Sequence, residues 1–188
     1  MKFKYLASLL FFVLITVSCS HPTPKPYGYF RIALPANDYR VFDKNYPYSF
    51  DISTFAVDSA VKHEQGEYWL NIEYPALKGC IYCSYMPVRN NFRTIAEDCR
   101  KFVYKHTVKA EAITEQPYEN PDRKVYGILY EIKGDAASPI QFMLTDSTHH
   151  VLRGALYFDA VPNKDSIAPV LNYVRKDIIR LIETTRWK

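Results

Sequence analysis

An α+β domain, with a mostly antiparallel sheet flanked by two helices, is the fold class this sequence predicts. Three observations carry the prediction. Most of the chain reads as short runs of alternating apolar and polar residues closed by Pro, Gly, Asn or Asp turns. Two stretches, around 92–106 and 166–182, switch to the 3.6-residue period of an amphipathic helix. Sixteen tyrosines against two tryptophans favour a sheet, because aromatic rings suit a pleated surface.

Taken in order, Tyr27 to Leu34 alternates and stops at Pro35, as a first strand does. Tyr48 to Ile52 and Phe55 to Val57 read as short strands around a turn. Tyr68 to Tyr74 places Leu70 and Ile72 on one face, with Asn71 and Glu73 on the other. Cys80 to Met86 follows the Lys78-Gly79 turn as a further strand. The first helix sets Phe92, Ile95, Ala96, Cys99, Phe102, Val103 and His106 on one stripe. Asn90 or Asn91 is placed to cap it, and Lys105 and Lys109 near its C-terminal end suit the helix dipole. Strands are expected at Ala112 to Tyr118 and Lys124 to Lys133, separated by the turn cluster Glu119 to Asp122. Ile140 to Thr145 and Val151 to Phe158 flank Asp146 to His150 and predict a hairpin. Asp165 or Ser166 caps the last helix, with Pro169 expected in its first turn. Its stripe is Ile167, Val170, Leu171, Val174, Ile178, Leu181 and Ile182. This order resembles the Mog1/PsbP-like α/β sandwich, a likeness of fold that says nothing of function.

The 188 residues fit one globular domain, 27–188, behind an N-terminal address. A net charge of +4 is too small for a nucleic-acid binder, and six glycines leave little for a phosphate cradle. Lys2 and Lys4 precede an apolar run from Leu6 to Val17. That run falls short of the ~20 residues of a spanning helix and matches a signal-peptide core, residues 1–18. Thr16-Val17-Ser18-Cys19 resembles the lipobox of bacterial lipoproteins, although Thr16 stands where Leu or Val is usual. The alternative is an ordinary secretory signal cut near Ser18 or Ser20. Lipidation of Cys19 would fix the protein on a bilayer, since each buried methylene contributes ~0.8 kcal/mol. Prolines at 22, 24 and 26 make residues 19–26 an extended tether. No acidic run follows Cys19, which favours a periplasm-facing protein.

Motifs for chemistry are sparse. Cys80 and Cys83 match C-x-x-C, yet in an extended run they point to opposite faces ~10 Å apart, against the ~7 Å a disulfide tolerates. Structural thiols are therefore expected. Cys99 lies on the apolar stripe, and a bridge from it to Cys80 or Cys83 stays open. His149 and His150 invite a metal with Asp146 and His63, but adjacent turn histidines diverge, so a polar hairpin tip is expected and no metal or cofactor. His63-Glu64 begins a zinc motif that Glu67 breaks. His106 is expected to be structural. Arg100, Lys101, Lys105 and Lys109 form one basic helix face, and Arg175, Lys176, Arg180, Arg186 and Lys188 another. Glu97, Asp98, Asp177 and Glu183 dilute both, so solvated faces are expected, with contact to anionic lipid headgroups or an acidic partner as the alternative.

Several stretches in order, Pro24 to Pro35, Tyr46 to Ser53, Tyr68 to Pro75, Val125 to Gly134 and Ser138 to Phe158, resemble the gliding-motility-associated lipoprotein GldD family. The resemblance implies a non-catalytic cell-envelope lipoprotein, palmitoylated at Cys19, that supports gliding or the associated type IX secretion machinery. It attaches no enzymatic activity and carries over no catalytic residue. The partners it implies are a membrane, through the lipid, and envelope proteins, with no nucleic acid. The contact surface is expected on the domain face opposite the helices or on the hairpin, at Asp146, Ser147, His149, His150 and Arg153. A periplasmic module for glycan or lipid is the alternative, and a thiol-redox or metal protein a more distant one.

Overall fold

The computed structural model describes residues 34–63, 66–159 and 163–188. Two strands near the start, β1 (Tyr39–Phe42) and β2 (Tyr48–Ser53), pair antiparallel. Strands β3 (Val57–His63), β4 (Gly66–Tyr74) and β5 (Gly79–Pro87) follow as a meander. Helix α1 (Phe92–Tyr104) then leads to a second meander, β6 (Ala110–Asn120), β7 (Val125–Gly134), β8 (Ile140–Thr145) and β9 (His150–Phe158). Strand β9 closes against β5, giving one antiparallel sheet of order β3-β4-β5-β9-β8-β7-β6. Helix α2 (Lys164–Thr184) follows, and the short β10 (Arg186–Trp187) pairs with β2 to complete a three-stranded sheet.

Alternation along the strands sorts side chains between two faces. Leu70, Ile72, Ile81, Leu144, Leu152 and Leu156 face one way, onto Phe50 and Ile52 of β2 and onto Val174, Ile178 and Leu181 of α2. Met143 and Val151, one position out of phase, face the other way onto Cys99 of α1, and Tyr130 and Ile132 meet Val103 nearby. The fold class is α+β, as the sequence predicts, with its helices on opposite faces of the large sheet. A single face opposite both helices, the first of the expected contact surfaces, therefore does not exist.

Other expectations need correction. The strand expected at 27–34 falls on residues outside the description, save Leu34, which is not in a strand. Phe55 and Ala56 form the turn before β3, not a strand, with the Phe55 ring against Tyr173. Asn91 occupies the N-cap of α1, but its side chain does not cap the helix; its Oδ1 accepts from Arg89 N–H at 2.7 Å. Helix α2 starts one residue before Asp165, capped by Asn163, whose carboxamide accepts from Ser166 N–H at 3.0 Å. Pro169 consequently sits in the second turn. Asp177, counted among the charges of a solvated face, is 3% exposed. It accepts from the Tyr74 hydroxyl at 3.0 Å and from Asn37 Nδ2 at 2.8 Å. Burying a carboxylate is tolerable only with such donors.

Candidate functional site

The β8–β9 hairpin turns at Asp146–His149, where Thr145 pairs with Val151. One carboxylate organises the tip. Asp146 Oδ1 accepts the backbone N–H groups of Thr148, His149 and His150 at 3.0, 2.8 and 2.8 Å. Its Oδ2 accepts the Thr148 hydroxyl at 2.9 Å. Ser147 takes the left-handed φ of 68° that closes the turn, and its N–H is held by Thr145 Oγ1 at 2.8 Å. Burial works against the ionised Asp146, but the converging N–H donors outweigh it and hold the carboxyl well below the usual carboxylate range. Asp146 is therefore committed to the loop itself. Ser147 and the His149 ring, 77% exposed, are what the tip offers to solvent. Among the described residues no three metal-ligating side chains converge.

His150 leaves the tip for the α2 side of the sheet. Its Nδ1 lies 2.8 Å from the Tyr85 hydroxyl, and its ring stacks on Trp187 of β10 with centroids 5.1 Å apart and planes 5° from parallel. Tyr85 meets Tyr48 and Tyr68, so the hairpin base rests on a continuous aromatic cluster. Sequence reasoning missed this support. The alternation of β5 places Tyr85 beside Ile81 and Cys83, but nothing local announces that the C-terminal Trp187 returns to meet it. Arg153, three residues along the strand, falls on the α1 face, where its guanidinium lies 4.9 Å from the Phe102 ring centroid. The structure thus gathers Asp146, Ser147, His149 and His150 at one end and sends Arg153 to the other side of the sheet.

Burial, then the His149 charge, lower the His150 pKa against the opposing pull of Asp146. The unfolded chain takes up a proton at this residue before the folded one does. Its contribution to stability is complete above the unfolded value of about 6.5 and is lost as pH falls toward the lower folded value. The drop in melting temperature between pH 7 and pH 5 is expected to shrink in His150→Gln. An unchanged drop would place the acid sensitivity elsewhere, with His106, also lowered by burial, the next group to test.

Cys80, Cys83 and Cys99 are free thiols. Cys83 is buried on the α2 side, and Cys80 lies half-buried on the other. Burial pushes Cys80 and Cys99 up to about 11 and raises Cys83 further, whereas a redox thiol needs a lowered value. At pH 8 iodoacetamide is expected to label Cys80 far more slowly than an ordinary thiol of pKa about 8.5, and Cys83 and Cys99 only after unfolding. Rapid labelling of Cys83 in the folded protein would contradict this geometry.

The comparisons join this architecture to a family. The family model described as gliding motility lipoprotein GldD matches residues 19–187. The chain belongs to that family. Membership makes it a lipoprotein of the GldD kind, a membrane-anchored protein of the cell envelope, and the GldD family is not a known enzyme family. No curated protein matches the chain. Among solved structures, the solution structure of cyanobacterial PsbP from Synechocystis sp. PCC 6803 is similar at 9% identity and a TM-score of 0.45, over 87% of this chain and 100% of that one. No helix among the described residues of this GldD-family chain is long and apolar enough to cross a membrane.

Proposed function

We propose that this protein is a non-catalytic, lipid-anchored docking module that supports the gliding and type IX secretion-associated machinery through protein–protein contacts. Residues 1–18 are removed, Cys19 carries the acyl chains, residues 19–26 hold the domain off the bilayer, and 27–188 face the periplasm as one domain. The observation that carries this is the family match, which begins at Cys19 itself. The raised thiols on opposite faces of β5 speak against a redox role. The contact we assign to the hairpin uses Ser147 and His149, which a rigid, self-satisfied loop holds outward without an ordering cost on binding.

Labelled palmitate is expected to enter the wild-type protein, and Cys19→Ala to move it from the membrane to the soluble fraction. Unchanged fractionation would remove the anchor. Alanine at Ser147 and His149 together is expected to weaken assembly of the complex while leaving stability intact. Assembly that is untouched would exclude the tip.

One observation favours a second reading, a module for glycan or lipid. A groove of about 510 Å³ opens on the sheet surface among Asn71, Glu73, Cys80, Tyr82 and Tyr157, with the two tyrosine rings edge-to-face at 5.7 Å. Tyr82, 46% exposed, offers a stacking surface to a sugar ring. Tyr82→Ala would abolish oligosaccharide binding on this reading and leave complex assembly unchanged on the first.

A further inference from the structure

The α1 face of the sheet holds hydrogen-bond donors without acceptors. Gln141 is 1% exposed, and its Oε1 accepts from Arg153 Nη2 at 2.7 Å. That bond fixes the carboxamide, because an amide nitrogen cannot accept from a guanidinium. Gln141 Nε2 is thereby turned away, buried and without a partner. A buried donor left unsatisfied costs free energy that a bound acceptor restores. Arg153 is itself half-buried in the middle of β9, and among the described residues no carboxylate forms an ion pair with it. Contact with the Phe102 ring uses none of its N–H groups, so most of its five donors are unspent.

Surrounding groups sharpen the chemistry. The Lys105 ammonium lies 4.9 Å from the centroid of the same Phe102 ring. His106, half-buried, has its pKa lowered by burial and then by the charge of Arg153. Lys101 is paired with Asp98 at 3.0 Å, and Arg100 reaches Glu115 at 3.7 Å, so these cations are already countered. Two cations, Arg153 and Lys105, neither facing a carboxylate among the described residues, flank a ring that is 45% exposed, and Arg153 in turn holds Gln141 with its amide donor unspent.

We propose that Arg153 and Gln141 form the floor of a carboxylate-binding site, covered by Phe102 and rimmed by Lys105, which receives an acidic side chain or chain terminus of a protein partner. A carboxylate matches the planar guanidinium fork with two parallel bonds. An anionic membrane is the poorer match, since surfaces that bind one present clusters of roughly 4–8 Lys or Arg together, and at the Phe102 ring the described cations are two, Lys105 and Arg153. Phe102, half out in solvent, is the movable cover and the apolar neighbour for a residue flanking the acidic one. This inference rests on the docking-module reading and names the chemistry of the partner. It uses a surface across the sheet from the His150 cluster.

The test uses the full-length lipoprotein in neutral-detergent micelles, with the side chains of Gln141 and Arg153 observed by NMR. The probe is the peptide Ac-Glu-Leu-Glu-NH2, with Ac-Gln-Leu-Gln-NH2 and phosphatidylglycerol vesicles in parallel. The acidic peptide is expected to shift the Gln141 Nε2 and Arg153 Nε signals to saturation, and the amide peptide to shift neither. Arg153→Lys should weaken binding at least tenfold. Lys105→Gln, an exposed change that leaves the fold intact, should weaken it severalfold. Unmoved signals with the acidic peptide, full binding by Arg153→Lys, or a response to vesicles alone would each overturn the proposal. The titration is indifferent to acylation at Cys19, so its failure is separate from failure of the anchor.

Discussion

Replacing Phe142 by alanine will cost the fold about 3–5 kcal/mol, the largest single loss expected from this core. Phe142 is 1% exposed at the centre of β8, in the cluster that joins the sheet to α2 and β2. Its ring lies against Gly154 on β9, directly opposite in the ladder. A Cβ at Gly154 would come within 2.2 Å of two ring carbons, so the ring occupies the place of the missing side chain. Gly154→Ala alone is therefore expected to cost about 1–3 kcal/mol by overpacking. Phe142→Leu combined with Gly154→Ala should cost less than the two separately, because the smaller side chain makes room. Urea unfolding midpoints for the four proteins test the cycle. Simple additivity would mean that ring and glycine do not compete for the same space.

Asp177→Ala is the second large effect, about 3 kcal/mol, because it strips acceptors from buried or half-buried donors. Asp177→Asn is expected to hold close to wild type at pH 7. Its oxygen still accepts from Tyr74, and the exposed Asn37 carboxamide can turn to present its own oxygen. The charge adds little here. Burial raises the Asp177 carboxyl above its ordinary value, and the donors Asn37, Tyr74, Tyr39 and Ser53 only partly offset this. A raised folded value means that acid favours the folded state at this residue. The contribution is complete below the unfolded value of about 3.9 and is lost as pH rises through the folded one. Wild type should accordingly gain on Asp177→Asn between pH 7 and pH 5 in thermal melts. Equal damage from Asn and Ala at pH 7 would show that the negative charge itself is needed.

What the sequence revealed follows from the range of each signal. Leu70 and Ile72, at period two, and the stripe from Val170 to Ile182, at period 3.6, declare their faces within a few residues, and they are buried as expected except for the half-buried Leu171. Strand β3 was hidden because it is an edge: Val57 is 54% exposed, and no described residue of the strand is fully buried, so no alternation marks it. Strand β10 was hidden because two residues carry no period at all. Asp177 was misplaced for a different reason. Charge alone argues for solvent, and only the arrival of Tyr74 and Asn37 from distant segments makes burial affordable.

The candidate site divides in the same way. Asp146-Ser147 declares a turn by residue type, and the structure builds one. His150 opens strand β9 instead of belonging to the turn the sequence assigns it to, and its odd separation from Arg153 along that strand sets the two on opposite faces. The stacking of His150 on Trp187 depends on where the last helix delivers the chain. The orphaned Gln141 donor depends on which neighbour takes its oxygen. Neither is a local property.

The fastening of Asn37 to Asp177 has a mechanical meaning if Cys19 is held in a bilayer. Any tug between membrane and partner enters the domain through the segment before β1, where the described fastenings are Leu34 against the core, this bridge, and the bond from Thr54 N–H to Asp38 O at 2.9 Å. The load passes straight into the long C-terminal helix, which spans 21 residues, instead of peeling β1 from β2 one rung at a time. A domain strapped in this manner resists being dragged open from its leash.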